Sequence, residues 1–233
     1  LAVAGVRIHN RCARVIAASA TVSNIGDISC WLGEHGEGGI TVGSVPAKTL
    51  VFGDEYRPVP LSKTVLGFEC NAAYYKFQRN LDFKLPGIIN THCPGSPTLV
   101  FCATRGAAQD TCRFLARNIG QLSHRPMPLH LTTPFTNQLL NESTPLGVAF
   151  HHAGLSAGDR SRVEQLFLSK SISILCYAGR GYEEYASSDV LQFIGRAGRP
   201  QFGASGKAIV LTETRQVGFY RCLVAGQETL ESR

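Results

Sequence analysis

Short apolar runs alternate along this chain with stretches of helical apolar spacing, and this alternation limits the fold more than any other feature. The runs predicted as strands are Arg14–Ala18, Thr98–Cys102, Leu146–Phe150, Ser171–Cys176 and Lys207–Leu211. The stretches predicted as helices are Asn24–Leu32, Ala107–Asn118, Ala157–Ser169 and Ser188–Ala197. Because near-continuous apolar strands need cover on both faces, the pattern predicts an α/β fold whose parallel sheet is flanked by helices. Binding sites should then gather at the carboxyl ends of the strands.

The third predicted helix has a start signal of its own. Val163, Leu166 and Phe167 recur at the spacing of one helix face. Ser156 is expected as its N-cap, with Asp159 three residues on, which is a weaker form of the capping box. This segment is therefore predicted to pack one apolar face on the sheet.

Two regions lack helical or strand periodicity, and a third stretch is extended. Gly33–Gly43 is rich in glycine and acidic residues and is expected to be an exposed loop. Gln121–Thr144 is rich in Pro, Thr, Ser and Asn and is expected to be a long surface excursion. The extended stretch Phe52–Phe68, with its two prolines, is expected to cross between two packed units.

Composition sets outer limits on the function. A length of 233 residues, 44% of them hydrophobic, suffices for one domain plus a fragment of another. The net charge of +6 gives a modest preference for polyanionic partners. No apolar run reaches the roughly 18–20 residues of a membrane span, so no membrane partner is expected. The amino terminus has neither a Met nor a signal-peptide pattern, so we expect a piece cut from a longer protein.

The eight cysteines do not form a recognisable metal-binding pattern. They stand at positions 12, 30, 70, 93, 102, 112, 176 and 222, and no pair has C-x-x-C spacing. Zinc sites need clustered ligands, so no metal site is predicted from the cysteines. We expect reduced and mostly buried thiols in a cytosolic or nuclear protein.

The most informative motif is the string Q-F-I-G-R-A-G-R-P at positions 192–200. It places Arg196 and Arg199 three residues apart at the end of an amphipathic segment, each preceded by a glycine. A guanidinium stays charged and makes paired hydrogen bonds with phosphate oxygens, and glycine lets the backbone approach a ligand closely. The alternative is a basic helix end that only complements the helix dipole.

This string resembles motif VI of superfamily-two helicases, in particular the Ski-two-like group. Further blocks resemble that group in the family's order: S-A-T at 19–21, Y-R-P-V-P-L at 56–61, F-C-A-T-R at 101–105 and H-H-A-G-L at 151–155. The stretches at 52–58, 81–85, 98–105 and 183–185 are similar to the meiotic crossover DNA helicases of the Mer-three (Hfm-one) type. RNA-acting relatives of the same group remain the competing branch.

The resemblance implies domains and site roles. It implies a remnant of a first RecA-like lobe at residues 1–60, a second RecA-like lobe at 61–224 and a linker toward a winged-helix domain at 225–233. Arg196 and Arg199 would be arginine fingers at the γ-phosphate of ATP, with Gln192 and Gly195 at the nucleotide, while Mg²⁺ would be bound mainly by the first lobe. Ser19 and Thr21 would couple the state of the bound nucleotide to the binding of the nucleic-acid strand.

The remaining implied residues would contact nucleic acid. They are Thr104, Arg105, His151, His152 and Gly154, just beyond predicted strand ends where backbone amides and short polar groups hold phosphates. For the two histidines a purely structural role is the alternative. No third ligand accompanies them, so no metal is expected there.

Three elements of the family are missing from the 233 residues. There is no G-x-x-x-x-G-K-[ST] and no D-E-x-H, so these residues alone are expected to be inactive as an ATPase. After Cys176 the family continues with motif V and another strand, whereas this chain passes directly to Tyr177 and Ala178. Either the protein has lost that segment or the sequence omits it.

Two functions from different classes follow. The first is part of an ATP-dependent 3′-to-5′ DNA helicase of meiotic recombination in the nucleus, acting on single-stranded or branched DNA, with an RNA helicase of the same group as its variant. The second is a truncated, non-catalytic module that binds nucleic acid or protein.

Overall fold

A computed structural model describes residues 16–18, 25–33, 45–53, 56–70, 74–123, 128–178, 185–198 and 203–226. The chain divides into two compact units. One comprises Leu1–Arg57 and Cys222–Arg233, and the other Pro58–Arg221. None of the helices in these residues is long and apolar enough to cross a membrane.

The larger unit alternates strands and helices as predicted. The strands are β1 (Leu61–Phe68), β2 (Thr98–Cys102), β3 (Val148–His151), β4 (Ile174–Ala178) and β5 (Gly206–Glu213). The helices are α1 (Ile25–Leu32), α2 (Tyr74–His92), α3 (Arg105–Arg117), α4 (Gln138–Ser143), α5 (Ala157–Leu168), α6 (Ser187–Arg196) and α7 (Val217–Val224). Of these, α1 and the last three residues of α7 belong to the smaller unit. The predicted α/β class is confirmed, with helices flanking parallel strands.

The strands form two parallel sheets instead of the single sheet that was expected. One sheet has the order β2-β4-β3, with Val100 opposite Cys176 and Phe150 also opposite Cys176. The other contains only β1 and β5, paired from Leu61 with Gly206 to Phe68 with Glu213. In the described residues no strand joins the two sheets, so β2 and β5 each end a sheet.

The hydrophobic core surrounds the three-stranded sheet. Phe150, Val148 and Cys176 are completely buried there, together with Leu115 of α3 and Val163 of α5 at no more than 1% exposure. The predicted apolar face of α5 is confirmed by the burial of Val163 and Phe167, and Ser156 caps that helix by accepting a hydrogen bond from the amide of Asp159 at 3.0 Å.

Several sequence predictions need correction. β1 was taken for a crossover because it follows Pro58 and Pro60, and α2 was not predicted at all, since it contains Pro86. The strand predicted at Ser171–Cys176 begins later, at Ile174, because the amides of Ser171 and Ser173 bond to the carbonyls of Leu166 and Gly147. For the strand predicted at Arg14–Ala18, residues 16–18 are described and form none.

The excursion at Gln121–Thr144 is not a simple surface loop. It contains α4, and Phe135 and Leu140 are buried in the core. The buried carboxylate of Asp159 accepts hydrogen bonds from the amides of Thr136 and Asn137 at 3.0 and 3.1 Å. Such long-range contacts anchor a segment whose own sequence has no periodicity.

The glycine-rich stretch at Gly33–Gly43 lies outside the described residues except for Gly33. That residue is buried, and a Cβ on it would overlap the carbonyl oxygen of Val45. The chain returns along α1 from there, with the amide of Ala47 donating to the carbonyl of Ser29 at 2.8 Å. At this point the backbone approach requires glycine.

Candidate nucleotide and nucleic-acid site

The first group of predicted site residues lies where β2 passes into α3. Thr104 is the N-cap of α3, because its hydroxyl oxygen accepts a hydrogen bond from the amide of Ala107 at 3.0 Å. Arg105 is the first residue of the helix. The capping bond fixes the direction in which α3 leaves the sheet, and this places a guanidinium beside its first turn.

The turn after β3 approaches the same guanidinium. A Cβ on Gly154 would lie 3.3 Å from Nη1 of Arg105 and 3.2 Å from the ring of His152. The amide of Gly154 donates to Nδ1 of His152 at 3.1 Å, and Nε2 of that ring lies 2.9 Å from the side-chain amide of Gln109 in α3. Thr104, Arg105, His152 and Gly154 therefore form one cluster at the carboxyl ends of β2 and β3.

His152 acts structurally within this cluster. Its side chain is only 4% exposed, and burial together with the neighbouring charge of Arg105 lowers its pKa from the ordinary value of 6.5. A neutral ring keeps Nδ1 available as an acceptor for the amide of Gly154. The ring thus holds the turn in shape.

His151 is in a different environment. Its Nε2 lies 2.8 Å from a carboxylate oxygen of Glu164 in α5, and its ring stacks on Tyr177 with centroids 5.3 Å apart. The other ring nitrogen, Nδ1, is buried without a hydrogen-bond partner among the described residues. The two adjacent histidines point to opposite sides of the strand end, as successive residues of a strand do.

The motif resembling motif VI forms the end of α6. Gln192, Gly195 and Arg196 are all exposed, and Gln192 and Arg196 are four residues apart on one face of the helix. Arg196 is also the last residue of α6, so the alternative role at the helix dipole agrees with its position. Arg199 lies outside the described residues, as do Ser19 and Thr21.

Gly198, near the end of this motif, has a backbone conformation that favours glycine. Its φ is +73°, and a Cβ on Gly206, the first residue of β5, would overlap the backbone of Gly198. The two glycines therefore let the end of the motif and the start of β5 touch. The motif's position is thus linked to that of the two-stranded sheet.

A row of aromatic rings joins the strand ends to α6 and was not predicted from the sequence. The strand register places Phe101 and His151 on either side of Tyr177. Phe101 stacks on Phe193 of α6 with ring centroids 4.1 Å apart, and Tyr185 packs edge-on against Phe193. The hydroxyl of Tyr185 also donates to the carbonyl of Cys102. Only the pairing register, which a single sequence does not reveal, brings these rings together.

The predicted site residues fall into two groups, those that line one large cavity and those that do not. The cavity has a volume of about 1610 Å³, and we call it the interstrand cleft because β2 and β5 line it. Gln192, Arg196 and His151 line it as well. Thr104, Arg105, His152 and Gly154 do not, so the structure places the nucleic-acid candidates other than His151 in a separate cluster.

Buried thiols lie next to this site. Cys102, Cys112 and Cys176 are buried, whereas Cys30 and Cys222 are exposed, so the expectation of mostly buried thiols holds for only part of the set. Burial raises the pKa of Cys102 to about 12. A hydrogen bond with Cys112 and complete burial raise the pKa of Cys176. In the described part of the chain no three His, Cys, Asp or Glu side chains are grouped as metal ligands.

Comparison with known proteins identifies relatives for nearly the whole chain. "ATP-dependent DNA helicase MER3" of Saccharomyces cerevisiae is 36% identical, and "Probable ATP-dependent DNA helicase HFM1" of Mus musculus is 33% identical, each over 94% of this chain. "DExH-box ATP-dependent RNA helicase DExH14" of Arabidopsis thaliana is 29% identical over 91% of it. No protein-family model matches.

The matches cover nearly all of this chain but only a small part of each relative. The chain spans 20% of the yeast relative, 17% of the mouse one and 11% of the plant one. The alignment with the yeast protein extends over 250 residues, which is more than the 233 residues of this chain. The relative therefore contains residues inside the matched region that this chain lacks.

The ordered motifs, the parallel α/β architecture and relatives at 33–36% identity over almost the full sequence agree with one another. The chain belongs to the Ski-two-like group of superfamily-two helicases and is similar to a segment of its Mer-three (Hfm-one) DNA helicases.

Proposed function

We propose that this chain is part of an ATP-dependent 3′-to-5′ DNA helicase that acts in meiotic recombination in the nucleus. Residues 61–224 would be its second RecA-like lobe, residues 1–60 the end of the first lobe, and residues 225–233 the start of a linker to a winged-helix domain. The observation that carries this proposal is the exposed end of α6, where Gln192 and Arg196 share one face above the interstrand cleft. Relatives named as ATP-dependent DNA helicases support it.

The described residues fit the phosphate end of ATP. The guanidinium of Arg196 and the amide of Gln192 are donors suited to phosphate oxygens, and stacking of Phe193 on Phe101 holds their helix in place. Bound ATP with Mg²⁺ would supply the phosphoryl group and its counter-ion. Arg196, with Arg199 and the exposed backbone of Gly195, would then stabilise charge on the γ-phosphate from the second lobe, while the first lobe would hold Mg²⁺.

The cluster at the ends of β2 and β3 is suited to a nucleic-acid backbone. Arg105 supplies a positive charge at the first turn of α3, where amide groups also point outward. Gly154 permits close approach, since a side chain there would meet Arg105. In this proposal Thr104 and His152 shape the cluster, and His151 contacts the nucleic-acid strand from the side of the cleft. Ser19 and Thr21 remain assigned to coupling by resemblance alone.

The test is single-turnover ATP hydrolysis by the full-length protein with both lobes. Charge builds on the γ-phosphoryl group in the transition state, so Arg196→Ala should slow hydrolysis by roughly 10³–10⁵-fold, or about 4–7 kcal/mol of barrier. Arg221→Ala is the matched control, because Arg221 is an exposed cation in the last turn of α7. A Tm unchanged in both variants excludes unfolding as the cause.

A folded Arg196→Ala protein with normal turnover would show that this residue only complements the helix dipole.

The wild-type full-length protein should unwind a DNA duplex with a 3′ single-stranded end. Preference for the matching RNA duplex would favour the RNA-acting branch, to which the plant relative's name points.

A further inference from the structure

The helices α2 and α3 carry most of the net positive charge of the chain. Their cations are Lys76, Arg79, Lys84, Arg105, Arg113 and Arg117, and their carboxylates are Asp82 and Asp110. Six cations and two carboxylates give these helices a net charge of +4, out of +6 for the whole chain. Asp82 accepts a hydrogen bond from the hydroxyl of Thr111 at 2.7 Å, and Asp110 pairs with Arg113 at 2.8 Å. The two helices therefore form a basic surface that their own acids neutralise only in part.

Helical spacing brings part of this charge onto one side of each helix. Lys76, Arg79 and Phe83 are three and four residues apart, so they share one face of α2. Phe114 and Arg117 are three residues apart on α3. The rings of Phe83 and Phe114 meet edge-on, with centroids 5.0 Å apart and planes at 80°, so the two faces adjoin. We call these five residues the α2–α3 face.

Phe83 differs from the aromatic residues of the core because most of its ring is in water. It is 62% exposed, although Phe114 contacts it and fixes its orientation. The cations of the α2–α3 face, Lys76, Arg79 and Arg117, are exposed as well. Bases of single-stranded nucleic acid stack on exposed aromatic rings, and cations beside such rings bind the phosphates. An exposed ring of fixed orientation among cations is therefore suited to one unpaired base.

The α2–α3 face adjoins both parts of the proposed nucleic-acid site. Arg105 is the first residue of α3 and Arg117 the last, about 18 Å farther along the helix axis. Arg79, Phe83 and Arg117 also line the interstrand cleft, as His151 does. The cations alone would suit an acidic peptide equally well. Continuity with Arg105 and His151 favours a nucleic-acid strand.

We propose that the α2–α3 face is a second contact for single-stranded nucleic acid, where a base stacks on Phe83 and Arg79 and Arg117 bind neighbouring phosphates. This inference rests on the proposed nucleic-acid binding by the cluster around Arg105 and extends it along α3. Every base has a π-face, so stacking on Phe83 tolerates any sequence. The face therefore adds affinity for the strand without a preference for particular bases.

The first test places a fluorescent ring at the stacking position. In the 233-residue chain with Phe83→Trp, oligothymidylate should quench the fluorescence of the introduced indole. Phe219→Trp is the matched control, because Phe219 is 46% exposed and also meets a neighbouring ring edge-on, that of Tyr220. Trp31 is the single natural Trp, so the wild-type chain supplies the background. Equal quenching in the two variants would overturn the proposal.

The second test measures affinity for the same oligonucleotide. Phe83→Ala should weaken binding roughly 5–150-fold through the loss of one stacked base, whereas Phe83→Tyr should bind like the wild type. Arg79→Ala and Arg117→Ala should each reduce the slope of log Kd against log salt concentration by about 0.7. Arg221→Ala removes an exposed cation of α7 and should leave the slope unchanged. Tm values equal to that of the wild type show that the variants fold.

Arg105→Ala separates this inference from the proposed function on which it rests. Weaker binding in Arg105→Ala with normal binding in Phe83→Ala would overturn the α2–α3 face and leave the cluster in place. A wild-type chain that does not bind the oligonucleotide would overturn both. Binding of polyglutamate that is lost in Phe83→Ala, without binding of oligothymidylate, would make an acidic protein the partner and would also overturn the proposal.

Discussion

The three-stranded sheet and the two-stranded sheet are built from similar strands and packed very differently. In β3 and β4, seven of nine residues are buried, and the core of the protein surrounds them. In β5 only Gly206, Ala208 and Thr212 are buried, although its run Ala-Ile-Val-Leu is as apolar as β4. Burial of a strand is therefore decided by its neighbours as much as by its own residues.

The same substitution should have unequal effects in the two sheets. Ile174 in β4 is 2% exposed and Ile209 in β5 is half-buried outside the core. Ile174→Ala should lower the free energy of unfolding by roughly 2–5 kcal/mol through lost contacts and a cavity. Ile209→Ala should lower the free energy of unfolding by only about 1 kcal/mol, because the side chain of Ile209 buries less apolar surface on folding. Urea unfolding of both variants measures the difference, and equal losses would contradict the contrast.

The second prediction tests how the excursion strengthens the three-stranded region. Asp159→Ala removes the acceptor of two amides, those of Thr136 and Asn137. Leaving buried donors unsatisfied should cost about 1–3 kcal/mol. Asp110→Ala is the control, since the carboxylate of Asp110 is exposed and pairs with Arg113 at 2.8 Å. That pair should contribute about 0–1 kcal/mol.

Proteolysis provides an independent measurement for Asp159→Ala. Cleavage within the segment 128–137 should accelerate in this variant and not in Asp110→Ala. An excursion that stays protected after loss of the carboxylate would mean that Phe135 and Leu140 anchor it without help.

The smallest predicted effect is a change of stability with pH, which arises from His152 next to the three-stranded sheet. The folded protein lowers the pKa of His152 below 6.5. Between the folded and unfolded pKa the unfolded chain binds more protons, so stability rises with pH through that window and falls on acidification below about 6.5. Unfolding of wild type and His152→Gln at several pH values isolates this contribution. The variant should lose less stability on acidification, and parallel curves would exclude the effect.

The sequence predicted the elements whose signals are local. Thr98–Cys102 was predicted with its observed bounds, and the N-cap at Ser156 was correct because a cap depends on three neighbouring residues. β1 and α2 were missed because prolines next to or inside them outweighed their propensities. The aromatic row and the anchoring by Asp159 depend on contacts between distant residues, which a single sequence does not encode in its periodicity.

The same limit applies to the site. The motif at 192–200 predicted Gln192 near Arg196, and the two lie four residues apart on α6, while their roles at the nucleotide stay a prediction. The division of the nucleic-acid candidates, with His151 on the cleft and His152 in a separate cluster, follows from strand alternation and from partners in α3 and α5.

The contact between Gly198 and Gly206 has a consequence for how this protein can change. A Cβ on Gly206 would lie 2.4 Å from the Cα of Gly198, whereas Gly198 is restricted by its own φ of +73°. Because Gly198 has no side chain to shorten, no substitution there can make room for a side chain at Gly206. Any change to one of them must be compensated by a shift of the main chain, so these two sites should accept mutations far more rarely than the exposed residues around them.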